Sequence, residues 1–183
     1  MEIILVRHGK PISASNKKLD AQGFALWIGE YDQSKIDASC YPPNELLNLC
    51  INSHIISSAL PRAIHSAEMA SKQIPSEKID LLNEMQLPSF FLPFKMRISY
   101  WLFVNRVLWL LGFSANVESY QQAKIRACLM AKELVNLATV NKRLVVFGHG
   151  LMNRQISKEL VKLGWQSNRQ GGSYWSTNKL TKN

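Results

Sequence analysis

Short apolar runs alternate with stretches of helical periodicity along this chain, and that alternation limits the fold more than any other feature. The runs lie at residues 2–6, 51–57, about 79–82 and 143–148. Helical patterns fall between them. One opens after Leu19 with Asp20 placed as an N-cap, and another opens on Pro61, a favoured first helical residue. "VESYQQAKIRACLMAKELVNLA" is the longest helix candidate, and "LMNRQISKELVKLG" closes on Gly164 as a C-terminal stop. Strands that alternate with helices over the whole length predict an α/β architecture, with helices packed on both faces of a largely parallel sheet. The tail from Gln166 is polar, with a short edge strand expected around "SYWST".

Three of the strand ends share one design. "ILVRHG" finishes in Arg7, His8 and Gly9. "HIISSALPRA" runs from strand through a short loop into a helix whose first turn carries Arg62. "LVVFGHGLMNR" finishes in Gly148, His149 and Gly150 and then enters a helix. In an open α/β sheet, ligands collect beyond the carboxyl ends of the strands, where all three segments place cationic or imidazole groups. Two of the segments also aim a helix N-terminus there, which offers free amides and a positive dipole end. Two arginines, two histidines and a helix terminus around one point describe a site for a phosphoryl group. A cation in a first helical turn, such as Arg62, faces the wrong end of the dipole unless an anion is present.

Composition fits this chemistry without choosing a substrate. The 183 residues contain 22 Lys plus Arg against 13 Asp plus Glu, a formal charge of +9, which suits anionic partners. Hydrophobic residues make up 46% and charged residues 19%, a globular composition. Cys40, Cys50 and Cys128 are odd in number and show no metal-ligand spacing, so they read as thiols in a reducing compartment. The opening "MEIILV" carries no basic, apolar or cleavage-site pattern of a leader, and a cytoplasmic location is expected.

"VRHG", "SSALPRAIHSAE", "LLNEM" and "VVFGHGLMNR", in this order, resemble the histidine phosphatase superfamily, the phosphoglycerate mutase-like group. "KKLDAQGFA" and "ESYQQAKIRA" resemble two further helix openings of that family, and the likeness runs from residue 2 to about 160 apart from 88–116. It implies a three-layer α/β sandwich over residues 1–183 as one domain, with 88–116 as a helical cap insertion. It implies a phosphatase that acts on a phosphomonoester or phosphoramidate, with His8 as the nucleophile that carries the phosphoryl group. Arg7, Arg62 and His149 would hold the phosphoryl oxygens, with Gly150 beside them, and Glu84 would donate the proton to the leaving oxygen. No metal or other cofactor is implied, because the arginines supply the countercharge. After its first motif the family usually supplies an asparagine to the phosphate. Here "KPISASN" offers Ser13 or Asn16 for that role, and "MQLPSFFLP" replaces the family's usual continuation after Glu84.

Two other readings belong beside this one. A mutase would share the chemistry but retain the intermediate, and a phospho-ligand binding module would keep the scaffold without turnover. The expected partner is a phosphorylated small molecule or a phosphoprotein. No nucleic-acid motif accompanies the charge. Oligomeric state leaves no mark in the sequence. His54 and His65 read as structural, and Lys17 and Lys18 as a solvated pair or an anion-attracting rim. "ISYWLFVNRVLWLLGF" at 98–113 is too short and too interrupted to span a membrane. It predicts a helix packed on the core by one face, with its other aromatics at the substrate entrance or on a partner surface, or else an ordinary buried helix, with a peripheral membrane contact helped by the positive charge as a lesser alternative.

Overall fold

The computed structural model describes residues 1–182. In chain order the elements are β1 (Glu2–Arg7), β2 (Lys18–Leu19), α1 (Ala21–Gln33), α2 (Asn44–Cys50), β3 (His54–Ser58), α3 (Pro61–Ser71) and β4 (Glu77–Ile79). A 3-10 turn (Asp80–Leu82) follows, then β5 (Met96–Arg97), α4 (Ile98–Leu110), α5 (Tyr120–Asn141), β6 (Arg143–Gly148), α6 (Gly150–Lys162), β7 (Gln166–Gln170) and β8 (Thr177–Thr181).

Six strands form one sheet in the order β4-β3-β6-β1-β8-β7. The first four run parallel, and β8 and β7 add an antiparallel hairpin at the far edge. Side chains on successive strand residues point to opposite faces, so an apolar run without polar interruptions is stable only when both faces are covered. That is the arrangement here. Ile3, Leu5, Ile56, Leu144 and Val146 pack under Ala127, Met130 and Leu134 of α5 and Met152 and Ile156 of α6. Ile4, Val6, Ile55, Val145 and Phe147 face Leu46 of α2 and Ala67 and Ala70 of α3. The result is three layers, as the alternation of strands and helices requires.

The helix starts follow their local chemistry. The Asp20 carboxylate accepts the Gly23 amide and opens α1. Pro61 stands at the first turn of α3. Ser119 and Gln122 satisfy each other's backbone amides in a capping box at the head of α5, the longest helix. Gly164, with φ +85°, follows α6.

Three boundaries differ from the sequence reading. The run at 51–57 begins as strand only at His54, because α2 ends in a turn with Asn52 in the left-handed region and Ile51 exposed. Residues 77–79 are strand and 80–82 the 3-10 turn, where a strand at about 79–82 was expected. "SYWST" is not an edge strand. Its residues 173–176 turn the chain from β7, the true edge on this side, and Thr177 begins β8, which is hydrogen-bonded on both sides.

A third cluster stands apart from the main sheet. Phe24 stacks on Trp27 and Trp101 at 5.9 and 5.3 Å between ring centroids, with Ala21 and Ile98 beside them. Trp101 donates its indole N–H to the Leu19 carbonyl, and Trp109 donates to that of Glu118. The two-stranded β2–β5 ladder ties this cluster to the N-terminal end of α4.

Candidate active site

The carboxyl ends of β1, β3 and β6 meet at one point, because those strands are neighbours in the sheet. Arg7 pairs with Gly148 across β1 and β6, and the His8 amide donates to the Gly148 carbonyl at 3.0 Å. Strand pairing alone therefore brings the two histidine motifs together. The His8 and His149 rings lie 5.1 Å apart between centroids.

His8 is 3% exposed, and its Nδ1 lies 2.7 Å from the Gly9 carbonyl. A carbonyl only accepts, so Nδ1 carries the proton and Nε2 keeps its lone pair. Burial, then the Arg62 charge, then that of Arg7, lower its pKa to about 3, against the opposing pull of the Gly9 bond. His8 is thus neutral at pH 7. His149 is fully buried, and burial followed by the Arg62 charge holds it well below the ordinary imidazole range. Its Nε2 lies 2.6 Å from the Ser58 hydroxyl, which also accepts the Leu60 amide. The arrangement that uses the hydroxyl proton has Ser58 donating to Nε2, which leaves Nδ1 as a buried N–H donor without a partner.

The two arginines are held in matching ways. Arg62 is 1% exposed; its Nη1 donates to the Tyr31 carbonyl at 3.0 Å and to the Asp32 carboxylate at 3.1 Å, and its guanidinium lies 4.9 Å over the Tyr31 ring. Arg7 donates Nη1 to the Gly172 carbonyl at 2.8 Å and lies 4.8 Å over the Tyr174 ring. The Nε of each arginine is buried without a partner. Planar guanidinium groups stacked on rings and pinned at one nitrogen keep other donors in a fixed direction. Burial and the neighbouring Tyr174 push the Tyr31 hydroxyl upward, so it stays a protonated donor.

Glycine is needed at two positions for reasons of space. A Cβ on Gly9 would meet the Trp175 ring at 2.5 Å, and one on Gly148 would meet Asn153 Oδ1 at 2.5 Å. Trp175 itself has φ +62°, a strained conformation for a bulky residue, and its amide donates to the Arg7 carbonyl. The 171–177 turn thereby becomes a wall of the site.

Glu84 also reaches the site. Its carboxylate accepts the amides of Leu151 and Met152 in the first turn of α6, at 3.2 and 3.1 Å, and that of Met85. Arg126 on α5 positions the loop beneath it by donating to the carbonyls of Leu81 and Asn83 while it pairs with Glu118. Gly150 opens α6 beside the Arg7 guanidinium. Asn16 lies on a cavity wall, but its side-chain oxygen accepts the Ser99 amide and so caps α4. Ser13 donates its amide to Ser34 and accepts from the Trp27 indole; it lines neither of the two cavities at the site. His54 pairs with Glu77 at 3.7 Å, away from the site. Lys17 and Lys18 are exposed.

Two cavities flank Arg7 and Glu84. One, of about 440 Å³, runs between α1, the 83–87 loop and α4, with Trp27, Tyr31, Leu60, Leu87, Leu102 and Tyr174 on its walls. The other, of about 340 Å³, lies between α6 and the β7–β8 hairpin and carries Arg154, Lys158 and Arg169. Among the described residues, no group of three or more His, Cys, Asp or Glu side chains is placed to hold a metal ion.

Several of these residues were not singled out from the sequence. Ser58 lies within the strand-to-helix segment that carries Arg62, so its position was legible though its partner was not. Tyr31, Asp32, Tyr174 and Trp175 gave no local signal, since they reach the site only through the packing of α1 and the C-terminal turn.

A sequence profile of the histidine phosphatase superfamily (branch 1) matches residues 45–181. No curated protein sequence matches the chain. Among solved structures, a mycobacterial glucosyl-3-phosphoglycerate phosphatase with bound VO3 superposes with a TM-score of 0.61 at 16% identity, covering 98% of this chain and 92% of that one. A phosphoserine phosphatase mutant from Entamoeba histolytica, in complex with phosphoserine, gives 0.57 at 14% identity over 99% and 95%. An ecdysone phosphate phosphatase from Bombix mori, in complex with tungstate, gives 0.57 at 12% identity over 100% and 92%. At these identities the likeness speaks to the fold. The profile match begins after Arg7 and His8, so their place in the site rests on the pairing of β1 with β6.

Proposed function

The chain belongs to branch 1 of the histidine phosphatase superfamily, and from that premise we propose that it hydrolyses a phosphorylated small molecule by way of a phosphohistidine on His8. The observation that carries this reading is the state of His8. It is neutral, its Nδ1 is occupied by the Gly9 carbonyl, and its Nε2 lone pair is left beside two pinned arginines. A neutral imidazole with a fixed tautomer is a competent nucleophile at pH 7.

The steps balance without further reagents. His8 Nε2 attacks phosphorus, and the bond to the leaving oxygen breaks as that oxygen takes a proton from Glu84. Water then attacks the phosphorus, the N–P bond breaks, Glu84 recovers a proton, and inorganic phosphate leaves. Arg7, Arg62 and the unpaired N–H of His149 bind the non-bridging oxygens and stabilise charge in the transition state. The amides that Glu84 occupies at the head of α6, and Gly150 before them, form an anion-binding helix terminus once the Glu84 carboxyl, protonated for its role as acid, turns toward the leaving group.

The leaving group sits in the cavity of about 440 Å³, whose aromatic and aliphatic walls favour an organic portion with apolar surface. Residues 88–116 then serve as a cap on that portion through Ile98, Leu102 and Arg106. Phosphorylated small molecules named for the related structures support this class. The three free thiols suit a reducing compartment such as the cytoplasm.

Rapid quenching during turnover of an aryl phosphate tests the mechanism. Wild-type protein is expected to carry acid-labile phosphate on His8, and His8→Ala to lose on the order of a thousandfold or more in turnover. Phosphate trapped on another residue, or a His8→Ala rate equal to wild type, refutes it.

A further inference from the structure

We propose that the face of α4 turned away from the core is a docking surface for an anionic lipid bilayer. At 100° per residue, α4 carries two apolar stripes on opposite sides. Ile98, Trp101 and Trp109 form the buried one, with the hydrogen-bonded Asn105 among them. Tyr100 (61% exposed), Phe103 (67%), Val107 (38%) and Leu110 (52%) form the other, and Leu111 and Phe113 extend it. Phe91 and Phe94 lie exposed just before the helix. Exposed apolar residues scattered singly are ordinary, but this many large ones in one segment mark an interaction surface.

The charges identify the occupant. No Asp or Glu occurs between Glu84 and Glu118. Lys17, Lys18, Lys95 and Arg97 are exposed together at the N-terminal end of α4. None of them has a carboxylate partner among the described residues. Lys18 stands directly opposite Arg97 in the β2–β5 ladder, where like charges are unfavourable. Arg97 also precedes the first turn of α4, at the positive end of its dipole. Both penalties are relieved by an anionic surface. A second copy docked through the same face would bring two sets of these cations into one interface, with no carboxylate in residues 85–117 of either copy to pair them.

An apolar face flanked by cations is the pattern of an interfacial helix. With 13 residues, α4 lies in the interface rather than crossing it, and no helix among the described residues is long and apolar enough to span a membrane. Leu102 and Arg106 line the cavity of about 440 Å³, so docking sets that cavity beside the bilayer surface.

Sedimentation of the full chain with vesicles tests the proposal, comparing phosphatidylcholine alone with phosphatidylcholine plus phosphatidylglycerol. Wild type is expected to pellet with the anionic vesicles and to be released as salt rises. Removing Phe103 and Leu110 together (Phe103→Ser with Leu110→Ser) should lower the partition coefficient about tenfold or more. Lys18→Gln and Arg97→Gln should each lower it about fivefold. All four side chains are exposed, so the melting temperature should hold and separate lost docking from lost folding. Wild type left in the supernatant, or partition unchanged by the apolar pair of substitutions, overturns the proposal. So does a dimer that ignores vesicles and dissociates on Phe103→Ser, which would show a second copy covering this face.

Discussion

The proposed phosphoryl pocket and the α4 wall are built from the same residue types, arginine and aromatics, used in opposite ways. In the pocket Arg7 and Arg62 are each stacked on a tyrosine and pinned to a backbone carbonyl, and Arg62 is removed from water. Around α4, Trp101 and Trp109 are buried, while Phe103, Tyr100 and the cations at the helix head face solvent. A pocket that stabilises charge on a transferring group needs donors fixed before the reaction, and burial supplies that rigidity. A surface that meets a partner needs exposed area and screened charge. Enclosure is the difference between the regions.

Trp101→Ala probes the buried half of the α4 region and should have the largest effect on stability. The indole is fully buried against Phe24 and hydrogen-bonded to Leu19. A loss of about 3–5 kcal/mol in unfolding free energy is expected by denaturant titration. A near-neutral result would mean that this cluster contributes little to folding and would erase the contrast between the two faces of α4.

Glu84→Gln should act on chemistry instead. Turnover of alkyl phosphates, whose leaving oxygens need a proton, is expected to fall about a hundredfold, with little loss on aryl phosphates. Equal losses on both substrate types would move the acid elsewhere.

Acidification tests the enclosure of the pocket. Unfolded histidine titrates near 6.5 and folded His8 at about 3, so between these values the unfolded chain binds the additional proton. Stability is therefore greatest above the unfolded pKa and declines as pH falls toward the folded one. From pH 7 to pH 5 the His8 contribution is about 2 kcal/mol, and His149, lowered in the same direction, adds to it. Urea midpoints of wild type and His8→Asn should diverge, with the variant less sensitive to acid. Parallel curves would contradict a buried neutral His8.

The smallest effect is expected at Leu102, which is 39% exposed and lines the cavity between the two stripes of α4. Leu102→Ala should change KM for bulky phosphates a few-fold, with thermal stability nearly unchanged. An unaltered substrate preference would remove the cap role from this helix.

The sequence by itself carried the sheet and the convergence of its strand ends. Continuous apolar runs ending in "RHG" and "GHG" required parallel strands covered on both faces, and a parallel sheet sends the ends of neighbouring strands to one edge. Arg7, His8, Arg62 and His149 were legible for that reason. What the local pattern could not hold was contact between segments distant in the chain. The partnership of Arg62 with Asp32, of His149 with Ser58, and of Arg7 with Tyr174 depends on how α1 and the C-terminal turn pack against strand ends. The aromatic run at 98–113 shows the same limit. Its helix was readable from composition, but only tertiary packing decided that Trp101 and Trp109 are core, that Leu102 faces the cavity, and that Phe103 faces solvent. All four are large apolar residues, so hydrophobicity cannot tell them apart. Their angle around the helix axis relative to Phe24 and Glu118 does, and that angle exists only once the chain has folded.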